Sequence, residues 1–148
     1  MNLNIYSKLD ERAYRETLSN GLDVIVVPRQ GFSRKIAYFV TDFGAIHTEF
    51  AFEGKNHRVP AGVAHFLEHK LFENEDGSDT FAHFAALGAS CNAFTSTEMT
   101  AYLFSATDKY YENLAVLLGF VTKPYFTPET VEKEMGIIGQ EIRMCHDE

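Results

Sequence analysis

The sequence predicts an α+β fold, a layer of helices packed on a mostly antiparallel sheet. An Asn-Gly step at Asn20-Gly21 separates two β-rich segments, as in a hairpin. Further strand-like and capped helical segments are interleaved along the chain, without the regular β-α-β alternation that builds a parallel sheet.

Taken in order, residues 12–18 and 22–28 are the strands flanking Ser19-Asn20-Gly21, whose Asn-Gly step supplies the positive φ angles of a tight turn. A third strand runs over 35–43 and stops at Gly44, and a loop through Glu53-Gly54-Lys55-Asn56 leads into a helix. That helix lies in the run from Gly62 to Phe72, where only Lys70 is polar besides His65, Glu68 and His69, a pattern expected of a helix buried nearly all round. An acidic turn over 74–79 follows, with Asp79 placed to cap a short helix over 80–87 that Gly88 ends. Strands are expected over 89–94 and 100–106. A helix then runs from Asp108 to about Val121, with Tyr111, Leu114, Leu117 and Leu118 as its apolar stripe. Thr127-Pro128-Glu129 opens the last helix as N-cap, first-turn proline and an acid at the positive end of the dipole. No stop signal follows before Glu148, so the chain is expected to end inside this element.

The 148 residues suit a single domain over 1–148, and 45% hydrophobic and 14% aromatic content is enough for a sizeable core. A net charge of −8 argues against nucleic acid or an anionic membrane as the main partner. The N-terminus lacks the apolar core of a signal peptide and no apolar run is long enough to span a membrane, so a cytoplasmic location is expected. The two cysteines, Cys91 and Cys145, are too far apart for a Cys-x-x-Cys pair and are read as free thiols.

Chemistry is concentrated in His65-Phe66-Leu67-Glu68-His69. On a helix, positions i, i+3 and i+4 share a face, so two imidazoles can grip one zinc ion while Glu68 reaches a water beside it. A polar stripe facing solvent is the alternative. Inside a buried helix, however, these groups need partners, because an unpaired polar group costs roughly 1–3 kcal/mol. A catalytic zinc site takes a third protein ligand. On the last helix, Val131 and Cys145 project within about 20° of Ile138, and Glu134 and Glu141 fall about 40° and 60° to one side, so both carboxylates flank the buried stripe. Their spacing of nearly two turns lets one contact the ion while the other supports the site; solvated residues at the edge of an amphipathic face would show the same spacing. His47, His57, His83 and His146 have no spacing to the motif that makes them ligands.

Three ordered blocks resemble the pitrilysin/insulinase metallopeptidases, the M16 family: His65-Phe66-Leu67-Glu68-His69; the run from Gly88 through Asn92-Ala93-Phe94-Thr95-Ser96 to Thr100-Ala101-Tyr102; and Glu132-Lys133-Glu134 with Glu141. The resemblance implies the catalytic part of a first domain of the M16-type fold, incomplete at this length, with one zinc ion per chain. His65, His69 and Glu141 would be ligands, Glu68 the general base and Glu134 a supporting carboxylate. Asn92, Ala93 and Phe94 match the edge strand on which the family lays extended peptides, and Phe72 and Phe94 match apolar positions beside the cleavage point. Packing into the core is the competing role for both Phe residues.

The implied reaction is hydrolysis of an internal peptide bond in a peptide or small protein, helped by a homologous second half or partner chain. Two rival readings remain open in the sequence. S-ribosylhomocysteine lyases also carry His-x-x-Glu-His but take a Cys as third ligand, a role Cys145 could fill. Non-catalytic members of the peptidase family serve as partner subunits, although those typically lack one or more of the His and Glu positions retained here.

Overall fold

A computed structural model describes residues 2–146, with the side chains of Cys145 and His146 outside the described set. Its contacts divide the chain into two compact units, 1–33 and 34–148.

The first unit is a three-stranded antiparallel sheet, β1 (Asn2–Tyr6), β2 (Glu11–Thr17) and β3 (Asp23–Val26), paired in that order. The 12–18 and 22–28 segments are strands as expected, shortened at their turn. Only Gly21 has a positive φ, 86°, and Leu18 N–H donates to the Leu22 carbonyl at 2.8 Å, so the connection is a three-residue loop rather than a two-residue turn. β1 was not anticipated, although Leu3, Ile5 and their polar neighbours alternate with period two. Among the described residues of this unit only Ala13 is buried.

The second unit carries a sheet of β4 (Lys35–Thr41), β7 (Ala89–Thr95) and β8 (Thr100–Ala106), in the order β4-β8-β7 and antiparallel throughout. Between β4 and the first helix stands a hairpin of β5 (Glu49–Phe52) and β6 (Lys55–Arg58) where the sequence suggested a loop. Glu53 and Gly54 both take positive φ, which suits a tight two-residue turn. The strands are held by cross-strand pairs, Phe50 stacked on His57 and Glu49 bonded to Arg58. The signal was weak because β6 is entirely polar.

Four helices follow: α1 (Val63–Lys70), α2 (Thr80–Ala86), α3 (Tyr110–Val121) and α4 (Pro128–His146). Asp79 caps α2 by accepting from Phe81 N–H at 2.8 Å, as expected. Thr127 caps α4 reciprocally with Thr130, each backbone N–H donating to the other's hydroxyl. α3 begins two residues later than expected, after Lys109 in a left-handed conformation. Its inner face is also rotated: Asn113, Leu117 and Phe120 are buried, whereas Tyr111 is 80% exposed. The buried polar Asn113, which donates to the Lys109 carbonyl at 2.9 Å, masked the true stripe.

α1, α2 and α3 cover one face of the sheet. There Phe84, Tyr102, Phe104, Ala106, Leu117 and Phe120 form the core, with Phe72 stacked between Phe81 and Phe120. Each large side chain buried here contributes about 1.5–3 kcal/mol. Cys91 sits at the edge of this core; burial, with the charge of Asp79 adding, pushes its thiol up to about 11, so it stays protonated near neutral pH. The opposite face presents Ile36, Tyr38, Val40 and Phe94 exposed.

β4 ends at Thr41, short of the expected Gly44, which lies three residues on, where the chain presses against the β7–β8 turn. Ala45 and Ile46 N–H groups donate to the Ser96 and Thr97 carbonyls at 3.0 Å, and a Cβ on Gly44 would stand 2.5 Å from the Met99 nitrogen. Gly44→Ala is expected to destabilise the protein by about 1–3 kcal/mol, read as a lowered midpoint in urea unfolding.

Candidate metal centre

α1 lies against β7 and β8 on one side and α4 on another. It is therefore not buried nearly all round, as its composition suggested: only Ala64 and Lys70 are buried, and the rest of the helix is half-buried. This leaves the His65/Glu68/His69 face packed enough to be fixed and open enough to be reached.

α4 brings the missing carboxylates. Glu141 Oε2 stands 3.6 Å from His65 Nε2 and 3.9 Å from His69 Nε2. One donor atom from each of the three residues lies within 4.8 Å of the others, and the two imidazole rings meet edge to face with centroids 4.6 Å apart. Donors around a tetrahedral zinc at its usual bond lengths are about 3.3–3.5 Å apart. The cluster fits such an ion after a small closure, and two neutral imidazoles with one carboxylate are a donor set zinc accepts.

Glu134 sits on α4 between the half-buried Val131 and Ile138, and among the described residues of that helix it is the one whose side chain is buried; its Oε1 accepts from His69 Nδ1 at 2.7 Å. The contact places the His69 proton on Nδ1 and leaves Nε2 free to ligate, the usual way a carboxylate orients a ligating imidazole. Cys145, the alternative third ligand, has its side chain outside the described residues.

Glu68 is held from the sheet. Thr95, at the end of β7, donates its hydroxyl to Glu68 Oε2 at 2.6 Å. The neighbouring Thr100 hydroxyl donates to the Phe43 carbonyl at 2.8 Å, so each threonine has committed its one proton. Tyr102 steadies α1 from below, its hydroxyl 3.4 Å from the Leu67 carbonyl; burial, and then the charge of Glu68, raise its pKa and keep the phenol protonated. Thr95 escaped the sequence reading, yet it is a hydroxyl ending an otherwise apolar inward row of Ala89, Cys91 and Ala93.

The remaining candidates separate. β7 is a sheet edge, as expected of the strand carrying Asn92 and Ala93. Asn92 is exposed and its Oδ1 accepts from Ala93 N–H at 2.9 Å. Phe94 alternates to the sheet face opposite Thr95 and Glu68, because successive strand side chains point to opposite sides. Phe72 is stacked in the core. The structure thus brings neither Phe residue onto the His65/Glu68 face. His83 is exposed; His47 accepts from Gly44 N–H, and His57 stacks on Phe50.

Helices thus cover one face of an antiparallel sheet, and two of them hold between them a two-histidine, one-carboxylate cluster whose donor set suits a metal ion. Residues 53–148 match the family model of insulinase, peptidase family M16. The chain is 56% identical over 144 residues to a Bacillus subtilis (strain 168) protein named uncharacterized zinc protease YmfH, covering 96% of this chain and 33% of that protein. It is 29% identical to the A-factor-processing enzyme of Saccharomyces cerevisiae, over 90% of this chain and 13% of the yeast enzyme. A crystal structure described as an M16-like peptidase from Alicyclobacillus acidocaldarius superposes with a TM-score of 0.86 at 44% identity, covering 90% of this chain and 31% of that one. Pitrilysin shares the fold, with a TM-score of 0.73 at 19% identity over 96% of this chain and 15% of that one. The chain belongs to the insulinase family, peptidase family M16, and spans about a third or less of the length of these relatives.

Glu134→Gln keeps an oxygen acceptor for His69 but removes the charge behind it. Zinc affinity, measured by competition with a chromophoric chelator, is expected to fall about 10- to 100-fold.

Proposed function

We propose that this chain carries the catalytic centre of a zinc endopeptidase acting on extended peptides, as the first domain of a longer assembly. The observation that carries the reading is Glu141 within 3.9 Å of both Nε2 atoms, with Glu68 held on the same face of α1. His65, His69 and Glu141 hold one zinc ion, and Glu134 fixes the His69 ring.

The bound ion supplies Lewis acidity, lowering the pKa of a water to about 7 and polarising a carbonyl. Glu68 is the general base. Its Oε2 is occupied by the Thr95 hydroxyl, so Oε1 is the oxygen that takes the proton from water and returns it to the departing amine nitrogen. The substrate lies along the β7 edge at Asn92 and Ala93, where main-chain pairing binds a peptide with little regard to side chains. A homologous second half or partner chain completes the substrate site. The carboxylate of Glu141 standing against both imidazoles favours this reading over a lyase with a Cys ligand, and the assembled His/Glu set favours it over a non-catalytic subunit. Among the described residues no helix is long and apolar enough to cross a membrane. The cytoplasm is the proposed compartment, consistent with the free thiol of Cys91.

Glu68→Gln is expected to retain zinc while kcat on a quenched extended peptide falls about 10²- to 10⁴-fold; His65→Ala loses both zinc and turnover. The assay is run on the chain alone and mixed with a homologous second half. A fully active Glu68→Gln protein would refute the assignment. Thr95→Val should lower kcat about tenfold with zinc content and KM unchanged, since it loosens the base without touching the ligands. Thr95→Ser, which keeps the hydroxyl, should restore the rate.

A further inference from the structure

We infer that Lys70 is a positioning residue for the metal centre: it fixes the register of α4 on α1 and thereby sets where Glu141 stands against the two imidazoles. The inference rests on the zinc reading of His65, His69 and Glu141.

Lys70 is wholly buried, an unusual place for an ammonium group. Its Nζ bonds to the Glu73 carboxylate, donates to the Thr130 hydroxyl at 2.8 Å, and lies 5.7 Å from the centre of the Phe126 ring. Two of these three partners belong to the entry of α4. Thr130 is also locked to Thr127 by the reciprocal cap, so Lys70 grips a rigid first turn rather than a loop.

α1 and α4 run antiparallel along this seam. Their contacts follow in order: Lys70 with Thr130, His69 with Glu134, and His65 with Glu141. A helix rises 1.5 Å and turns about 100° per residue. A slip of α4 by one residue therefore swings Glu141 away from both Nε2 atoms. The His69–Glu134 bond alone is a single point about which α4 can pivot, and the Lys70–Thr130 bond one turn away supplies the second. An apolar side chain would fill the same space without direction. Register is the best-attested use of a buried charge.

The test uses the full chain stripped of metal, titrated with zinc against a chromophoric chelator, with the visible absorption of the cobalt(II)-loaded form as a report on ligand geometry. Two variants are compared: Lys70→Met, and Lys70→Met with Glu73→Leu, which also removes the carboxylate left behind. Both are expected to bind zinc at least tenfold more weakly and to change the cobalt spectrum, while the metal-free double variant keeps the parent's urea midpoint. Thr130→Val, which leaves the Lys70–Glu73 pair intact, should shift zinc affinity the same way by several-fold. Unchanged zinc affinity and cobalt spectrum in the folded double variant overturn the inference. If neither Lys70 variant folds, the same result in Thr130→Val overturns it. A parent chain that binds no zinc defeats the zinc reading and this inference with it; tight zinc binding unaffected by the variants defeats the role of Lys70 alone.

Discussion

The bond between His69 Nδ1 and Glu134 Oε1 is the contact on which the arrangement of the site depends. It joins a helix near the middle of the chain to one that begins almost sixty residues later, and it does so with polar atoms where most helix pairs use apolar ones. Because Glu134 is buried and His69 half-buried, losing the imidazole would leave the carboxylate as a buried polar group without its partner. That dependence holds α4 against α1. Glu141 then arrives where the imidazoles can share it.

Local chemistry was readable from the sequence wherever one residue type has one dominant local use. The Asp79 cap, the Thr127 cap, the β7 and β8 strands and the His65/Glu68/His69 face all follow from short-range rules. The partners of buried polar groups were harder to read. Lys70, Asn113 and Glu134 are polar residues that the fold buries, and only Asn113 lay off the stripe expected for its helix. The burial of the other two is settled by partners distant in sequence: Lys70 by Thr130, and Glu134 by His69. Among the described residues the Asn113 side chain bonds the local Lys109 carbonyl, with its Oδ1 unpaired. The β5–β6 hairpin was missed for a related reason, since its strands are fixed by cross-strand pairs rather than by alternation.

The candidate site is built with different degrees of rigidity. The imidazoles ride on a short helix wedged between sheet and α4, and the aromatic core beneath it fixes the helix position. The carboxylate of Glu68 is held by a single hydroxyl from a strand end. Phe72 and Phe94, candidates for substrate contact on grounds of resemblance, show how one face of a sheet decides a side chain's fate: Phe72 joins the core, and Phe94 looks the other way. A β-strand has two faces, and on β7 the face of Thr95 is the one that meets Glu68.

The side chains of the cluster come from positions 65, 69 and 141, with the Glu68 carboxylate tethered to position 95. No stretch of chain short enough to fold early contains a complete set. During synthesis the two imidazoles leave the ribosome long before the carboxylate that joins them, and α4 must already be seated before the three can act together. A zinc ion bound as proposed would therefore have little hold on a partly folded chain and a stronger one on the finished seam. Its uptake would follow the seating of α4, and its loss would be coupled to the loosening of one helix from another.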